Sequence, residues 1–400
     1  MDGILDNILD NFNFSIRSTS LESNTSDNMS GIKVGFDCYF CNEDVTLRNK
    51  PSVYKVGSNI FSYITPIIFV IGVVGNILSL LVFRSKKMRK LSASLYLAAL
   101  SMSDISSLTF YVLVEWLRRG LKHISPETDV SFLNRHGLCQ LLLYMAYISR
   151  LMSSWIIVVF TIERFMGVCY PLKSLKRGAG KILLTMFACS CLLVLYKPIL
   201  SGEYTQMNRT VCTANAEYKF LSFALDGVFA ITITLIPFTI ITVLNILIVR
   251  KLFIRNKESR SIFSDNSTIR LEFTLILLAI SFFFVAFNLP YSVVWARNFL
   301  HSAEISPSRT RKAADVEYWS GVLMITRTIF YMNYCINFFL YSITGKYFRT
   351  ALVEMLSCHS SNESRYGSYI KCRRLGSTTT QATLCGRLSG SVKSYGDSPM

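Results

Sequence analysis

Residues 59–83 read NIFSYITPIIFVIGVVGNILSLLVF, a stretch of 25 residues without a charged side chain. An α-helix needs about 20 predominantly apolar residues to cross the hydrocarbon core of a bilayer. Inside lipid such a stretch must be helical, because other backbone conformations would leave N–H and C=O groups without hydrogen-bond partners. Residues 59–83 therefore predict a membrane-spanning helix.

Six further apolar runs follow, at 92–117, 138–162, 180–200, 219–249, 271–296 and 317–343. The composition agrees, since 51% of the residues are hydrophobic and only 17% are charged, whereas about 25% is typical of soluble proteins. The net charge of +17 could indicate nucleic-acid binding. The basic residues, however, lie in the short loops and the tail, so we expect no nucleic-acid partner.

The predicted fold is all-α, a seven-transmembrane helix bundle over residues 59–344. We expect an extracellular, glycosylated tail over 1–58, a short amphipathic eighth helix over 345–357 and a disordered cytoplasmic tail over 358–400. The tail is rich in Ser, Thr and Gly and poor in apolar residues, which is typical of disorder.

Basic loops indicate which side of the bundle faces the cytoplasm. The loops after the first, third and fifth runs are basic, and the first carries five Lys and Arg residues within 84–90. Residues 1–13 are acidic and lack a basic n-region, so we expect no cleavable signal peptide. The N-terminus is expected outside the plasma membrane and the C-terminus in the cytoplasm. The glycosylation acceptors that fall outside under this topology are Asn13, Asn24, Asn28 and Asn208.

Two of the eleven cysteines, Cys139 and Cys212, are expected in the oxidising compartment at the mouth of the bundle. A disulfide between them is therefore predicted. Cys38 and Cys41 also lie outside, and their spacing leaves pairing open. Cys358 follows an amphipathic stretch, where palmitoylation is typical; the alternative is a free thiol.

Several ionisable side chains fall within the apolar runs, where such groups are costly and usually functional. Asp104, Arg150 and Arg327 are expected deep in the bundle. Asp226 is expected near a membrane edge, where its carboxylate could reach water.

Short motifs also occur in a fixed order along the runs: Gly75-Asn76, Leu100 to Asp104, Glu163-Arg164-Phe165 with Arg164 25 residues after Cys139, Pro171-Leu172, Pro237, Phe284 with Pro290, Asn337 to Tyr341, and Gly345 to Arg349. Through this series the chain resembles the rhodopsin-like (class A) G-protein-coupled receptors across about residues 59–357. The Asn-Phe-Phe-Leu-Tyr form of the seventh-run motif resembles invertebrate receptors for FMRFamide-like neuropeptides.

The chain also departs from the pattern of that family. Residues 187–190 read FACS without the usual Trp, and Asn288 replaces the Trp of the sixth run. Asn245 stands where a Tyr is common, and Phe338 stands where the seventh-run motif has Pro. Activation details of well-known members therefore do not carry over directly.

The resemblance implies a receptor and not an enzyme, with a heterotrimeric G protein as partner and an arrestin as a partner of the phosphorylated tail. In it, Glu163 would hold Arg164 at rest, and Leu172 would pack into an apolar pocket of the G protein. The implied coupling residues are Glu163, Arg164, Pro171, Leu172 and Tyr341. The only implied cofactor is an allosteric Na⁺, for which Asp104, Ser153, Asn333 and Asn337 offer oxygen ligands of the kind that hard cations prefer.

Ligand class follows from what the outer halves of the runs contain. Ala146 stands where amine receptors carry Asp, and residues 317–343 have no Lys that could bind retinal. Tyr147, Tyr291 and Arg327 stand where similar peptide receptors hold short amidated peptides, so we expect such a neuropeptide as the ligand. The predicted ligand-binding residues are Glu115, Tyr147, Arg150, Asp226, Tyr291 and Arg327.

For a peptide ending in Arg-Phe-amide, Glu115 would bind the guanidinium, because a buried unpaired charge is costly. Arg327 would donate to the amide carbonyl, and two tyrosines would flank the Phe ring. The alternative for Glu115 is a structural ion pair with Arg150. Two other functions stay open: an orphan or decoy receptor, and a transporter or channel, although no internal repeat is present.

Overall fold

The computed structural model describes residues 52–86, 88–89, 91–170, 178–206, 209–215, 217–258, 265–303 and 313–362. Its helices are α1 (Ser52–Arg84), α2 (Ser92–Ile124), α3 (Leu138–Cys169), α4 (Ala179–Leu193 and Tyr196–Leu200), α5 (Lys219–Ala230, Ile231–Leu235 and Ile236–Glu258), α6 (Asp265–Ala303), α7 (Ala313–Tyr331 and Asn333–Thr344) and α8 (Lys346–Asn362). A hairpin of β1 (Ser201–Gln206) and β2 (Arg209–Ala214) lies between α4 and α5.

The predicted all-α bundle is confirmed. Helices α1 to α6 are each long and apolar enough to cross a membrane, and α7, which is interrupted at Met332, completes the seven. All seven helices extend beyond the predicted runs, by a single residue in α4 and by several residues in the others; α1, for example, begins at Ser52, and α6 extends over Asp265–Ala303. Apolar length marks only the part of a helix inside lipid, whereas the helix continues until a capping or breaking residue ends it. Residues 52–58 therefore belong to α1 and not to the expected tail.

A proline accompanies the break in α4, and π-helical turns widen α2 without interrupting it. Helix α4 is interrupted at Val194 and Leu195, and Pro198 lacks the N–H that would bond to the carbonyl of Val194. In α2 two π-helical stretches, Leu108–Leu113 and Trp116–Gly120, flank Glu115. Such widened turns are frequent at functional sites.

One face of α1 has the pattern of a lipid-facing helix. Its more than half-exposed apolar residues recur at helical spacing: Tyr63, Ile67, Val70, Val74 and Leu81. Phe61 and Ile68 on the other face are buried in the bundle. Because this exposed apolar stripe would be unfavourable in water, it is the surface that lipid covers.

Helices α1 and α7 approach each other closely where two glycines meet. A Cβ on Gly321 would lie 2.7 Å from the backbone nitrogen of Tyr54, and a Cβ on Gly57 would meet the backbone of Gly321. Membrane helices commonly pack through small residues of this kind. This contact fixes the start of α7 beside the start of α1.

The hairpin is fixed to α3 by a disulfide. Strands β1 and β2 are antiparallel, with Glu203 opposite Cys212. Cys212 is bonded to Cys139 in the first turn of α3, with a Cα–Cα distance of 5.8 Å, so the predicted disulfide is confirmed. We call this end of the bundle the disulfide end, and the opposite end, where Arg164 lies in α3, the Arg164 end.

Contacts divide the chain into one unit that ends at Leu352 and another that begins at Val353. The first contains the bundle, the hairpin and the start of α8; in the second, the described part is the remainder of α8, helical to Asn362. The predicted end of α8 at residue 357 was therefore wrong, since residues 358–362 belong to the helix and not to the expected disordered tail. Cys358, the predicted palmitoylation site, lies in α8, and the structure does not describe its side chain. The residues of other predictions that lie outside the described part are Asn13, Asn24, Asn28, Cys38, Cys41, Pro171, Leu172 and Asn208.

Candidate functional site

A cavity lies among α2, α3, α4 and β2 at the disulfide end. Its lining includes Glu115 of α2, Tyr147 and Arg150 of α3, Lys197 of α4 and Thr213 of β2. Charged groups and aromatic rings thus share one concave surface. Such a lining can bind a ligand that has both polar groups and apolar side chains.

Behind this lining, Asp226 of α5 forms a buried ion pair with Lys197. The Lys197 Nζ lies 2.6 Å from one carboxylate oxygen, and the hydroxyls of Tyr147 and Tyr196 donate to the other at 3.0 and 2.9 Å. Asp226 is completely buried, so the expectation that it would reach water was wrong. The carboxylate is stable there because three donors surround it.

Arg150 lies in a cage of aromatic rings. Its guanidinium carbon is 4.3 Å from the ring centroid of Tyr111, 4.6 Å from that of Tyr147 and 5.3 Å from that of Phe229. Its Nε also donates to the carbonyl of Ala146 at 3.3 Å. The negative faces of the rings stabilise the buried cation.

Glu115 joins α2 to α7. Its carboxylate oxygen lies 3.0 Å from Nε of Arg119 and 3.5 Å from Nη1 of Arg327. The structure therefore pairs Glu115 with Arg327. The sequence analysis had predicted instead that Glu115 binds the guanidinium of the ligand and that Arg327 binds its amide carbonyl. Since both arginines approach the same oxygen, a ligand cation would have to compete with them.

Three of the six predicted ligand-binding residues line the cavity: Glu115, Tyr147 and Arg150. The other three are outside the lining that the described residues form, although all are buried: Asp226, Tyr291 and Arg327. The Tyr291 ring stacks on Phe330, with centroids 5.0 Å apart and an interplanar angle of 23°. A ligand ring could reach Tyr291 only after rearrangement of this contact.

Deeper in the bundle, Asp104 collects two of its three expected partners. Oγ of Ser153 and Nδ2 of Asn337 each donate to its carboxylate at 2.7 Å, and the carboxylate is fully buried. Asn333 instead donates to the carbonyl of Phe330 at 3.1 Å. Because α7 is interrupted just before Asn333, its amide satisfies the carbonyl that the break releases.

Residues 75–341 match the family model described as "7 transmembrane receptor (rhodopsin family)". The chain belongs to this family of rhodopsin-like receptors. The receptor is therefore a multi-pass membrane protein and not an enzyme, as the sequence predicted.

Three relatives illustrate the range of similarity. The receptor is 25% identical over 336 residues to the thyrotropin-releasing hormone receptor of Gallus gallus, covering 75% of this chain and 79% of that protein. It is 21% identical over 334 residues to the allatostatin-A receptor of Bombyx mori, with 80% and 85% covered. It is 24% identical over 319 residues to the C-C chemokine receptor type 1 of Homo sapiens, with 78% and 83% covered.

At the Arg164 end of the receptor, three polar side chains form one contact. Nη2 of Arg164 lies 3.2 Å from a carboxylate oxygen of Glu163, and Oγ of Ser92 in α2 donates to the same oxygen at 2.6 Å. The Arg164 guanidinium carbon is also 5.4 Å from the ring centroid of Phe160. Glu163 thereby connects α3 to α2 while it neutralises Arg164.

The other described residue predicted for coupling, Tyr341, is fully buried. Its ring lies against Phe83 of α1 and Phe348 of α8, with centroids 5.1 and 5.5 Å away. Tyr341 therefore joins α1, α7 and α8.

Two candidate functional residues, Lys197 and Glu272, were not predicted from the sequence. Lys197 lies inside the predicted run 180–200, and a charge within an apolar run was a signal that could have identified it. Glu272, at the edge of its run, accepts the backbone N–H of Tyr347 in the first turn of α8 at 2.7 Å. No sequence signal links Glu272 to α8, because the contact joins residues 75 apart.

Proposed function

We propose that this receptor is activated by a peptide that enters the cavity at the disulfide end, and that it passes the signal to a heterotrimeric G protein at the Arg164 end. Two of the relatives are receptors for peptide hormones, thyrotropin-releasing hormone and allatostatin-A. G-protein coupling follows from membership of the family.

The cavity is the observation that carries the proposal for the ligand. Three helices and β2 contribute to its lining, and the disulfide between Cys139 and Cys212 holds β2 over α3. Peptides present backbone polar groups and side-chain rings together, which matches a lining that combines Arg150, Lys197 and Tyr147.

The orientation of the receptor in the membrane belongs to the same proposal. Disulfides persist in oxidising compartments, which favours an extracellular disulfide end. The basic loop 84–90 follows α1 at the Arg164 end, and basic loops favour the cytoplasmic side. With this orientation the N-terminus is extracellular and the plasma membrane is the expected location.

The experiment that tests this function is a screen of synthetic neuropeptides on cells that express the receptor, read by calcium and cyclic AMP. Arg164→Ala should still bind an active peptide but should lose most of the signal. The matched control is Arg250→Ala, which removes an exposed arginine of α5 and should keep signalling. Unchanged signalling by Arg164→Ala at equal surface expression would contradict the role of Arg164, and peptide-evoked currents without second messengers would favour a channel.

A C-terminal Arg-Phe-amide is a finer proposal that depends on Glu115. The guanidinium of such a peptide would have to displace Arg119 and Arg327 from that carboxylate. Glu115→Gln should then weaken an Arg-containing peptide far more than its uncharged citrulline analogue. Equal losses for both peptides would leave Glu115 as a structural partner of its two arginines.

We also propose that Asp104 and Ser153 provide oxygen ligands for Na⁺ in the resting state. Their oxygens lie 2.7 Å apart in a buried position, and hard cations prefer such ligands. Asn337 now presents its amide nitrogen to Asp104 and would have to turn to offer its oxygen. A cation that binds the resting state better shifts the population towards it. NaCl should therefore lower agonist affinity more than an organic cation chloride does, and Asp104→Asn should remove the difference.

A further inference from the structure

The cavity at the disulfide end is richer in basic than in acidic side chains. Arg118, Arg150 and Lys197 line it, whereas Glu115 is the single acid among the described lining residues. With the residues that pair with them, the described cluster has five basic and two acidic side chains, an excess of three positive charges: Arg118, Arg119, Arg150, Lys197 and Arg327 against Glu115 and Asp226. In a partly dry site this excess favours the binding of an anion.

Two of these cations share one aromatic ring. The guanidinium carbon of Arg150 and the ammonium nitrogen of Lys197 lie 4.6 and 4.9 Å from the ring centroid of Tyr147. Both residues are nearly buried, at 4% and 5% exposure, and both line the cavity. Both charges therefore border the cavity beside the same ring, and we call these two residues the Arg150–Lys197 floor.

The ion pair with Asp226 leaves the floor able to bind an acceptor. Asp226 contacts Lys197 from outside the lining that the described residues form. An ammonium has three donors, and the Asp226 carboxylate takes one of them. The guanidinium of Arg150 has five donors in a planar fork, of which Nε donates to the carbonyl of Ala146 at 3.3 Å. The hydroxyl of Tyr147 donates to Asp226 at 3.0 Å, and this hydrogen bond holds the Tyr147 ring in place.

We propose that the ligand carries a carboxylate and that this carboxylate binds to the Arg150–Lys197 floor. This inference rests on the proposed function in one respect only, namely that the ligand enters this cavity. In a peptide with an amidated C-terminus the carboxylate belongs to an acidic side chain; in any other peptide it belongs either to the C-terminus or to such a side chain. A ligand whose deepest group is cationic would instead meet Arg150 and Lys197 with the same sign of charge.

The test measures binding of small probes to the purified full-length receptor in lipid nanodiscs, without G protein. N-acetyl-L-phenylalanine and N-acetyl-L-phenylalaninamide differ in charge but hardly in shape, and ligand-observed NMR gives their dissociation constants. We expect the acid to bind roughly tenfold more tightly, equivalent to about 1.4 kcal/mol, because a hydrogen bond to a charged acceptor is stronger than one to a neutral amide. Equal binding of acid and amide, or tighter binding of the amide, by the unmodified receptor overturns the proposal.

Variants locate the probe and identify its source. Arg150→Gln should abolish the preference for the acid, and Arg150→Lys should keep part of it. The matched control is Arg297→Gln. The guanidinium carbon of Arg297 lies 3.6 Å from the ring centroid of Trp319, and Arg297 is not among the described residues that line the cavity. Loss of the preference in Arg297→Gln but not in Arg150→Gln places the anion elsewhere and overturns the assignment.

A third probe, the α-amide of N-acetyl-L-glutamic acid, carries only a side-chain carboxylate. Tighter binding of this probe than of N-acetyl-L-phenylalanine indicates an acidic side chain, and the reverse indicates a C-terminus. Because no signalling is measured, a receptor that prefers the acid but activates no G protein contradicts the proposed function and not the carboxylate site.

Discussion

The two ends of the bundle hold their charges in different ways. At the disulfide end ion pairs cross between helices: Lys197 of α4 binds Asp226 of α5, and Arg327 of α7 binds Glu115 of α2. At the Arg164 end, Arg164 pairs with its own chain neighbour, Glu163. The side chains of Lys197 and Asp226 are 6% and 0% exposed, whereas those of Arg164 and Glu163 are 13% and 25% exposed.

This difference separates a rigid end from one that can rearrange. Breaking a buried ion pair leaves an uncompensated charge and is strongly destabilising, whereas a partly exposed pair contributes little. A receptor must keep its binding site in shape while its coupling site changes between states. Under the proposed function, the disulfide end would meet the first demand and the Arg164 end the second.

The largest expected effect comes from removing one partner of the buried pair. Asp226→Asn leaves the Lys197 ammonium without its carboxylate and should cost about 3–5 kcal/mol of stability. The midpoint temperature of thermal unfolding in detergent measures this loss. The double variant Asp226→Asn, Lys197→Met should recover much of it, because no buried charge remains. A double variant as unstable as the single one would show that the ion pair is not what holds α4 to α5.

The second-largest loss of stability is expected for removal of the disulfide between Cys139 and Cys212. Loss of a native disulfide typically costs about 2–5 kcal/mol, so Cys139→Ala and Cys212→Ala should each lower surface expression. Because the two residues form one bond, the double variant should be no worse than either single variant. Additive loss would argue against the bond seen between α3 and β2.

A smaller effect is expected for Glu272, which links α6 to α8. Its carboxylate accepts the N–H of Tyr347, one of the first donors of α8, which have no partner within that helix. Losing a side-chain acceptor at a helix N-terminus costs about 0.5–2 kcal/mol. Glu272→Ala should therefore lower the unfolding temperature modestly and raise basal second-messenger output, because the first turns of α6 lose their link to α8. Glu272→Gln keeps an acceptor and should have an intermediate effect; if it matches Glu272→Ala, the negative charge and not the hydrogen bond is what matters.

The smallest effect on stability is expected for the Arg164 end. Glu163→Gln should change stability by no more than about 1 kcal/mol, because the pair is partly exposed. Basal signalling should nevertheless rise by up to about fivefold, since the same free energy biases the resting state. Ser92→Ala, which removes the other contact of Glu163, serves as a comparison. A fall in stability as large as that of Asp226→Asn would contradict the contrast between the two ends.

The apolar runs were enough to predict how often the chain crosses the membrane. A run such as 59–83 must be helical in lipid whatever surrounds it, because its backbone groups can bond only within the helix. The bond between Cys139 and Cys212 was predictable too, since few cysteines were expected at that end. The extra turns of α1 and the break in α4 depend on flanking residues and local backbone bonds, which the apolar pattern does not record.

Which charges meet was decided by the tertiary structure. The sequence showed that Glu115, Arg150, Asp226 and Arg327 lie within membrane helices, but Asp226 pairs with Lys197, 29 residues away, and Glu115 with Arg327, 212 residues away. Partners so far apart are set by the rotation and depth of each helix in the bundle. A helix that is apolar on most of its faces does not specify that rotation by its pattern. It is fixed by close contacts between helices, such as that between Gly57 and Gly321.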